Sequence, residues 1–322
     1  MTGVRAIVLA VVSAHRAVLA RLVTDREHVG GLEKLARAAL LVPIFGSMLV
    51  GLRVWALFRG PLEATASTRF GARFTCRLPD FIQTYLYLFG IWEPDITSFI
   101  DRRVAAGRTF VDVGANIGYH TLLAAAGGAR VVAIEASPEI FRVLGEQVTA
   151  NGAASVRLVN KAVSDRTGTC SIYAGPVRNI GLSTTVRRRG FAAEAVVASA
   201  PLADLLEPDE LRTLGIVKID VEGGEPAVLR GMAGLLEACP DDVEIVLELS
   251  PLWWTDRTQT PRDVLRPLLD AGFNVYRIDN NLWPWRYLWP NDVRPPVRDR
   301  GPLTRRVKRL DLVLSRADRE TL

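Results

Sequence analysis

Acidic residues flank a glycine-containing turn near the middle of the chain. Asp112 lies two residues before Gly114, at the end of an apolar run, and Glu135 ends the next apolar run. Turns of this kind between a strand and a helix let a ligand approach the backbone closely. A carboxylate before the turn suits an ammonium or sulfonium group, and one at the end of the second strand can accept both ribose hydroxyl protons. These residues therefore indicate a cationic ligand that contains a nucleoside.

The turn at residues 114–118 differs from the nicotinamide-binding fingerprint G-x-G-x-x-G. Asn116 stands where the second glycine would be, and Tyr119 where the last would be. Asp112, the two glycines and Glu135 together predict S-adenosylmethionine as the cofactor.

Apolar strands alternate with helical stretches from residue 95 onward. The predicted strands cover residues 109–113, 131–135, 156–159, 216–220 and 243–248. The predicted helices cover residues 94–104, 119–126, 138–151 and 225–231. Strands without two-residue alternation are buried on both faces, and helices between them imply parallel crossovers. The pattern predicts an α/β fold with a doubly wound sheet.

Four segments resemble the FkbM-type S-adenosylmethionine-dependent methyltransferases. They read TFVDVGANIGYHT at 109–121, VVAIEASPE at 131–139, AVSDRTG at 162–168 and VKIDVEGGEPAVLRG at 217–231. The resemblance covers about residues 80–280. It implies a class I methyltransferase (Rossmann-like) sheet with strand order 3-2-1-4-5-7-6, in which residues 311–315 form the antiparallel last strand beside residues 274–278. Members of the family mostly methylate hydroxyls on sugars, glycolipids and polyketide-type metabolites.

The resemblance also implies roles for individual residues. The methionine end of the cofactor would be held by Asp112, Gly114, Asn116 and Gly118. Glu135 would bind the ribose. Ser164 and Asp165 would read the adenine edge, although S-D-x-x-G is also a common turn sequence.

Carboxylates at the end of the fourth predicted strand are the candidate proton acceptors. Methyl transfer depends mostly on alignment, but a hydroxyl must also lose its proton, and a general base contributes about 10²–10⁴-fold. We expect Asp220 or Glu222 to be this base, and Glu225 to complement the dipole of the next helix. Lys218 is expected to pair with one of these acids. His120, just after the turn, is an alternative base.

Three further features bear on the acceptor. Glu248 would line its pocket, or would bind a metal together with Asp220, but without a second histidine or clustered aspartates we predict no metal. Residues 176–195 are predicted to be a lid or insertion over the site. Sugar stacking, a membrane interface or core packing would each explain the late tryptophans Trp253, Trp254, Trp283, Trp285 and Trp289.

The net charge of +5 on 322 residues lies in the N-terminal segment. Residues 1–60 contain eight basic and three acidic residues, and the other 262 contain 32 of each. The longest uncharged run, residues 38–52, would be about 22 Å long as a helix, which is shorter than the hydrocarbon core, and Pro43, Gly46 and Gly51 interrupt it. We expect an amphipathic arm that packs on its own domain or a sister subunit, or that lies on a membrane surface.

These features divide the chain into a basic helical arm (1–60), a lead-in segment (61–107) and a catalytic domain (108–322). The three scattered cysteines indicate a reducing, cytoplasmic compartment, with membrane association left open.

The predicted activity is O-methylation of a saccharide, glycolipid or secondary metabolite, with no nucleic-acid partner. Two alternatives remain open. The high isoelectric point would suit a nucleic-acid methyltransferase. However, the 262 residues after residue 60 have no net charge and lack the N-P-P-[YF] tetrad of base-flipping enzymes. The family pattern usually reads D-V-E-G-H-E, but this chain has Gly224 in place of the histidine. The second alternative is therefore a catalytically inactive protein that serves as a binding subunit.

Overall fold

The computed structural model describes residues 2–175, 183–187, 190–303 and 308–322. The chain forms two units. The first comprises Met1–Ser98 and Asn280–Arg294, and the second comprises Phe99–Asp279 and Pro295–Leu322. The proposed boundaries near residues 60 and 107 stay predictions.

The first unit contains two long helices and a β-hairpin. Its elements are α1 (Thr2–Ala20), α2 (Gly31–Arg59), β1 (Leu62–Ser67), β2 (Arg73–Leu78), α3 (Phe81–Phe89) and a 3-10 helix at Pro284–Leu288. Helix α4 (Pro94–Arg103) follows α3 along the chain. The predicted N-terminal helical arm is confirmed as α1 and α2.

Helix α2 runs unbroken through Pro43, Gly46 and Gly51, so the expectation that these residues interrupt it was wrong. Proline removes one backbone donor from a helix. Pro43 is exposed, so the carbonyl that loses its partner can bond to water instead. Leu41, at the start of the inward face, is fully buried, so packing offsets the local cost.

The second unit is built from strands and shorter helices. In chain order they are β3 (Thr109–Val113), α5 (Tyr119–Ala126), β4 (Arg130–Ile134), α6 (Pro138–Ala150), β5 (Val156–Val159), β6 (Ala162–Val163), β7 (Gly168–Ala174), β8 (Ser183–Thr184), β9 (Ala192–Ala200), α7 (Pro208–Arg212), β10 (Leu214–Ile219), α8 (Glu225–Arg230), α9 (Ala233–Ala238), β11 (Glu244–Leu249), α10 (Pro261–Asp270), β12 (Asn274–Arg277), β13 (Val297–Arg298) and β14 (Leu310–Ser315). Single 3-10 turns lie at Leu202–Leu205 and Pro251–Trp253.

The central sheet has eight strands in the order β13-β12-β14-β11-β10-β3-β4-β5. Strands β11, β10, β3, β4 and β5 are parallel, and β14 lies antiparallel between β11 and β12. Leaving aside the short edge strand β13, this is the predicted order 3-2-1-4-5-7-6 with an antiparallel last strand. The predicted fold class is confirmed.

Burial explains why the central strands could be predicted from the sequence. All five residues of β3 and all six of β14 are buried, as expected for strands covered on both faces. Val111, Val217 and Ile245 are fully buried members of the same core cluster.

A second, four-stranded sheet has the order β6-β9-β7-β8. Residues 183–184 and 192–195 of the predicted lid or insertion form strands of this sheet, as β8 and the start of β9. Residues 176–182 and 188–189 of that predicted lid lie outside the described residues.

Candidate active site

The carboxyl ends of the parallel strands bring the predicted site residues together. Strands β3 and β10 pair so that Lys218 lies opposite Asp112. Just beyond the strands, the amide of Asp220 donates to the carbonyl of Val113 over 3.0 Å. This edge is where open parallel sheets bind ligands.

The glycines of the 114–118 turn are needed by the protein's own packing. Gly114 has φ +78°, and a Cβ there would lie 1.9 Å from the carbonyl oxygen of Asp220. Gly118 has φ +90°, and a Cβ there would lie 2.6 Å from Leu144 Cδ1. Asn116 also has a positive φ, +54°, and its Oδ1 accepts a hydrogen bond from the amide of Ile117. The turn is therefore fixed before any ligand binds.

Asp112 offers a buried acceptor at the base of this turn. Its Oδ2 accepts a 2.7 Å hydrogen bond from Thr121 Oγ1. Its Oδ1 accepts no hydrogen bond from the described residues and lies 3.8 Å from Lys218 Nζ. Burial raises the pKa of Asp112, and the Lys218 charge and the Thr121 hydrogen bond oppose that shift. A buried carboxylate oxygen with spare acceptor capacity fits the ammonium group of an amino-acid ligand.

Glu135 is held by the backbone of two loops. Its Oε2 accepts from the amide of Asn116 and its Oε1 from the amide of Ser137, both at 2.9 Å. Each oxygen keeps a second lone pair, which can accept a ribose hydroxyl. Burial raises the pKa of Glu135 to about 7, although these backbone hydrogen bonds favour the charged form.

Cofactor affinity is expected to rise as the pH increases through about 7, because two hydroxyls require the ionised form of Glu135. Below that pKa, binding must release a proton, so Kd should fall by up to about tenfold per pH unit between pH 6 and 7 and level off above 8. Calorimetry with S-adenosylhomocysteine in buffers of different ionisation enthalpy counts the released proton. Glu135→Gln should bind more weakly and lose this pH dependence. The same profile in both proteins would contradict the assignment.

Ser164 and Asp165 follow β6 in the second sheet. The amide of Ser164 donates to the Ala200 carbonyl, and Asp165 pairs with Arg230 Nη2 at 3.0 Å. Ala162, two residues earlier, belongs to a small cluster against which Ala136 packs. The pair therefore follows a strand beside the Glu135 loop, but Asp165 already has a cationic partner.

Asn160 was missed by the sequence analysis. Its Nδ2 donates to the carbonyls of Glu135 and Ala136, at 2.8 and 3.2 Å. Asn160 is the first residue after β5, at the same sheet edge as Glu135. This position could have identified Asn160 as a candidate site residue from the sequence. Thr121, which positions Asp112, carried no such signal.

Asp220, Glu222 and Glu248 form a group of carboxylates. One oxygen from each lies within 4.8 Å of the others. Lys218 Nζ donates to Asp220 Oδ2 over 3.2 Å, which confirms the expected pairing of Lys218 with an acid of this strand. Glu222 has φ +48°, a left-handed conformation that is unusual outside glycine and costs about 1–3 kcal/mol.

Several charges surround Glu248, the third carboxylate of this group. Burial raises its pKa well above the ordinary value, and the charges of Asp220, Asp311 and Glu222 raise it further. Arg309 Nε, 3.8 Å away, opposes the shift. Such a group either shares a proton or could hold a divalent cation through three carboxylates. The sequence-based expectation of no metal stays a prediction.

His120 is buried in the first turn of α5. Burial lowers its pKa well below the ordinary value, and the positive charge of Lys218 lowers it further. The imidazole is therefore neutral at pH 7, the form a base requires, but its burial limits access by an acceptor.

Glu225 stabilises the loop that carries Asp220 and Glu222 through hydrogen bonds. It is fully buried, and its carboxylate accepts from the amide of Gly223 and from Trp254 Nε1, both at 2.8 Å. Burial raises its pKa to about 7. These bonds make Glu225 a structural residue of the loop, beyond the helix-dipole role expected for it.

A cavity of about 380 Å³ adjoins this loop. It is lined by Val186, Arg187, Leu252, Trp253, Trp254, Thr255 and Arg257. A Cβ at Gly223 would lie 2.7 Å from Trp253 Cβ, and Thr184 Oγ1 donates to the carbonyl of Glu222. A Cβ at Gly224, where the family's histidine would stand, would lie 3.1 Å from Thr185 Oγ1. Residues 183–187 thus occupy the space beside the loop.

The other three late tryptophans belong to the first unit. Trp283 and Trp285 stack with ring centroids 4.8 Å apart and an interplanar angle of 6°. Trp289 is buried, and Lys34 Nζ lies 5.5 Å from the centroid of its ring.

The fold and this site define a class I S-adenosylmethionine-dependent methyltransferase. The Methyltransferase FkbM domain matches residues 112–275, and the chain belongs to this family. It is 27% identical over 180 residues to the hexuronic acid methyltransferase AglP of Haloferax volcanii, covering 56% of this chain and 72% of that protein. It is 29% identical over 204 residues to the methyltransferase sdnD of Sordaria araneosa, covering 54% and 76%.

Among solved structures, the chain is similar to an S-adenosylmethionine-dependent methyltransferase from Agrobacterium tumefaciens. The TM-score is 0.44 at 12% identity, and the match covers 79% of this chain and 70% of that one.

Proposed function

We propose that the protein methylates a hydroxyl group of a saccharide, glycolipid or secondary metabolite. The observation that carries the proposal is the carboxylate group of Asp220, Glu222 and Glu248. Lys218 contacts both Asp112 and Asp220, and Gly223 of the same loop lies against Trp253 of the cavity. The two relatives support an acceptor of this kind, because one of them is named as a hexuronic acid methyltransferase.

The proposed reaction is an in-line displacement. When bound, S-adenosylmethionine supplies an electrophilic methyl group on a sulfonium, and the electron pair of the broken carbon–sulfur bond stays on sulfur. Asp112 holds the ammonium group, the Gly114–Asn116–Gly118 turn shapes the methionine end, and Glu135 holds the ribose. Asp220 or Glu222 accepts the proton of the attacking hydroxyl, with His120 as the alternative base. The adenine contacts of Ser164 and Asp165 stay a prediction.

The cavity composition favours an acidic acceptor. Arg187 and Arg257 supply positive charge, and Trp253 supplies an indole face on which a sugar ring can stack. A carboxylate or phosphate on the acceptor would pair with these guanidinium groups. The hydroxyl to be methylated would then face the 220–224 loop.

Arg257→Ala is expected to raise KM for an acidic sugar about tenfold and to change kcat little, because the guanidinium binds substrate without taking part in the chemistry. Paired assays with p-nitrophenyl glucuronide and p-nitrophenyl glucoside measure this preference. Arg262→Ala, on the exposed face of α10, is the matched control and should leave both KM values unchanged. An equal effect of Arg257→Ala on both glycosides would contradict the acidic pocket.

The class of acceptor is tested directly with a methyl-labelled donor. Label is expected in a glycolipid or saccharide extract and not in RNA or DNA. Label in nucleic acid would favour the competing methyltransferase hypothesis. We further propose a cytoplasmic location, which the free thiols of Cys76, Cys170 and Cys239 support.

A further inference from the structure

The outward faces of α1 and α2 are apolar and exposed to solvent. Each helix is long and apolar enough to cross a bilayer, yet only 11% of Gly3–Ala20 and 22% of an apolar 18-residue stretch within Gly31–Arg59 is buried. Leu32, Leu35, Leu57 and Phe58 of α2 are between 68% and 86% exposed. Contiguous exposed apolar surface of this kind marks a site of interaction.

A groove runs between the two helices. Its volume is about 410 Å³, and it is lined mainly by apolar side chains, including Ile7 and Val11 of α1 and Met48, Val54 and Phe58 of α2. An apolar groove open to solvent along two apolar helices can accept a hydrocarbon chain.

The positive charge of residues 1–60 indicates that α1 and α2 bind an anionic surface. Residues 1–60 contain eight basic and three acidic residues, whereas the rest of the chain is balanced. Arg53 and Arg59 are exposed near the C-terminal end of α2, close in sequence to the exposed Leu57 and Phe58. Basic residues that flank an apolar helix face bind anionic lipid headgroups.

The inward faces of both helices are tied to the rest of the first unit. The hydroxyls of Ser13 and Tyr87 lie 3.2 Å apart, and Arg16 lies over the Tyr87 ring at 4.9 Å. On α2, Lys34 pairs with Asp292 at 2.5 Å, and Phe45 packs edge-on against a tyrosine of α3. A spanning helix would draw these charged, hydrogen-bonded contacts into hydrocarbon, which is costly. The contacts favour helices that lie in the plane of the membrane.

We propose that α1 and α2 insert side by side into one leaflet of an anionic phospholipid bilayer, with an acyl chain in the groove between them. The inward faces stay attached to the first unit, and the arginines contact phosphate groups. This proposal is independent of the reaction assigned to the second unit.

Vesicle flotation of the full chain tests the proposal. The protein is expected to float with phosphatidylglycerol–phosphatidylcholine vesicles and to bind pure phosphatidylcholine vesicles at least tenfold more weakly. The double variant Leu35→Asp/Leu57→Asp is expected to lose at least tenfold in partitioning. Val196→Asp, an equally exposed valine in β9, is the matched control and should partition within twofold of wild type.

Two measurements keep the outcome unambiguous. S-adenosylhomocysteine calorimetry should give the same Kd for all variants, which shows that the second unit is folded, and an unchanged helical circular dichroism signal shows that α1 and α2 are intact. Failure of the wild-type protein to float, or flotation of the double variant like wild type, would overturn the proposal. So would a lipid-free dimer that the double variant dissociates, since a second copy would then cover this face.

Discussion

The Asp112→Asn variant is expected to bind S-adenosylhomocysteine at least tenfold more weakly than wild type, a loss of about 1.4 kcal/mol. The amide keeps the shape of the side chain but removes the charge that attracts the ligand's ammonium group. The fold should survive, because Lys218 retains its contact with Asp220 at 3.2 Å. Calorimetry gives the affinity, and thermal unfolding monitors the fold.

A shortened ligand separates Asp112 from Glu135. Methylthioadenosine keeps the ribose and adenine but lacks the amino-acid group. Asp112→Asn should therefore bind methylthioadenosine as wild type does, whereas Glu135→Gln should weaken binding of both ligands by a similar factor. If Asp112→Asn weakened both ligands equally, its effect would be a general disturbance of the 114–118 turn and not the loss of an ammonium contact.

The central sheet was predictable because its signals are local. Strand β3 and helix α5 have the predicted bounds, Thr109–Val113 and Tyr119–Ala126, since an apolar run and the glycines on either side of α5 mark them. Strand β5 also has its predicted bounds, Val156–Val159, and the other predicted central strands and helices differ by one or two residues at their ends, where caps and hydrogen bonds decide the boundary.

The second sheet was not predicted because its pairing is not local. Strand β9 reads AAEAVVASA, and alanine gives little strand signal. Its partner β7 lies about twenty residues earlier, so the pairing depends on contacts that the local pattern does not contain. The inclusion of Asn280–Arg294 in the first unit is another long-range feature of this type.

The same distinction applies to the site. The positions of Asp112, Glu135 and Asp220 follow from where each strand ends, so strand prediction located them. The role of Glu248 depends on β11 lying beside β10, and on Arg309 and Asp311 reaching it from the C-terminal strand. Spacing in the sequence could identify Glu248 as a candidate site residue, but it could not reveal the neighbouring charges that raise the pKa of Glu248.

Asp220→Asn is expected to lower kcat by about 10²–10⁴-fold, because the variant cannot accept the hydroxyl proton. The Kd for S-adenosylhomocysteine should stay within about threefold, since cofactor binding is assigned to other residues. Single-turnover assays separate chemistry from product release. Asp242→Asn, which breaks only a surface pair with Arg108, is the matched control and should retain wild-type kcat. Wild-type turnover by Asp220→Asn would remove it as the base and leave Glu222 and His120.

The three carboxylates also distinguish a proton-sharing group from a cation site. If Glu248 carries a proton that the group shares, Glu248→Gln mimics this protonated form and should reduce kcat far less than Asp220→Asn does. A divalent cation would need all three ionised, so the corresponding amide variants of Asp220, Glu222 and Glu248 would then lose activity alike, and a chelator would inhibit the wild-type protein. Unequal losses without chelator sensitivity therefore identify base catalysis, whereas equal losses with chelator sensitivity identify a metal. The geometry permits both outcomes, because the same three carboxylates can share a proton or ligate a cation.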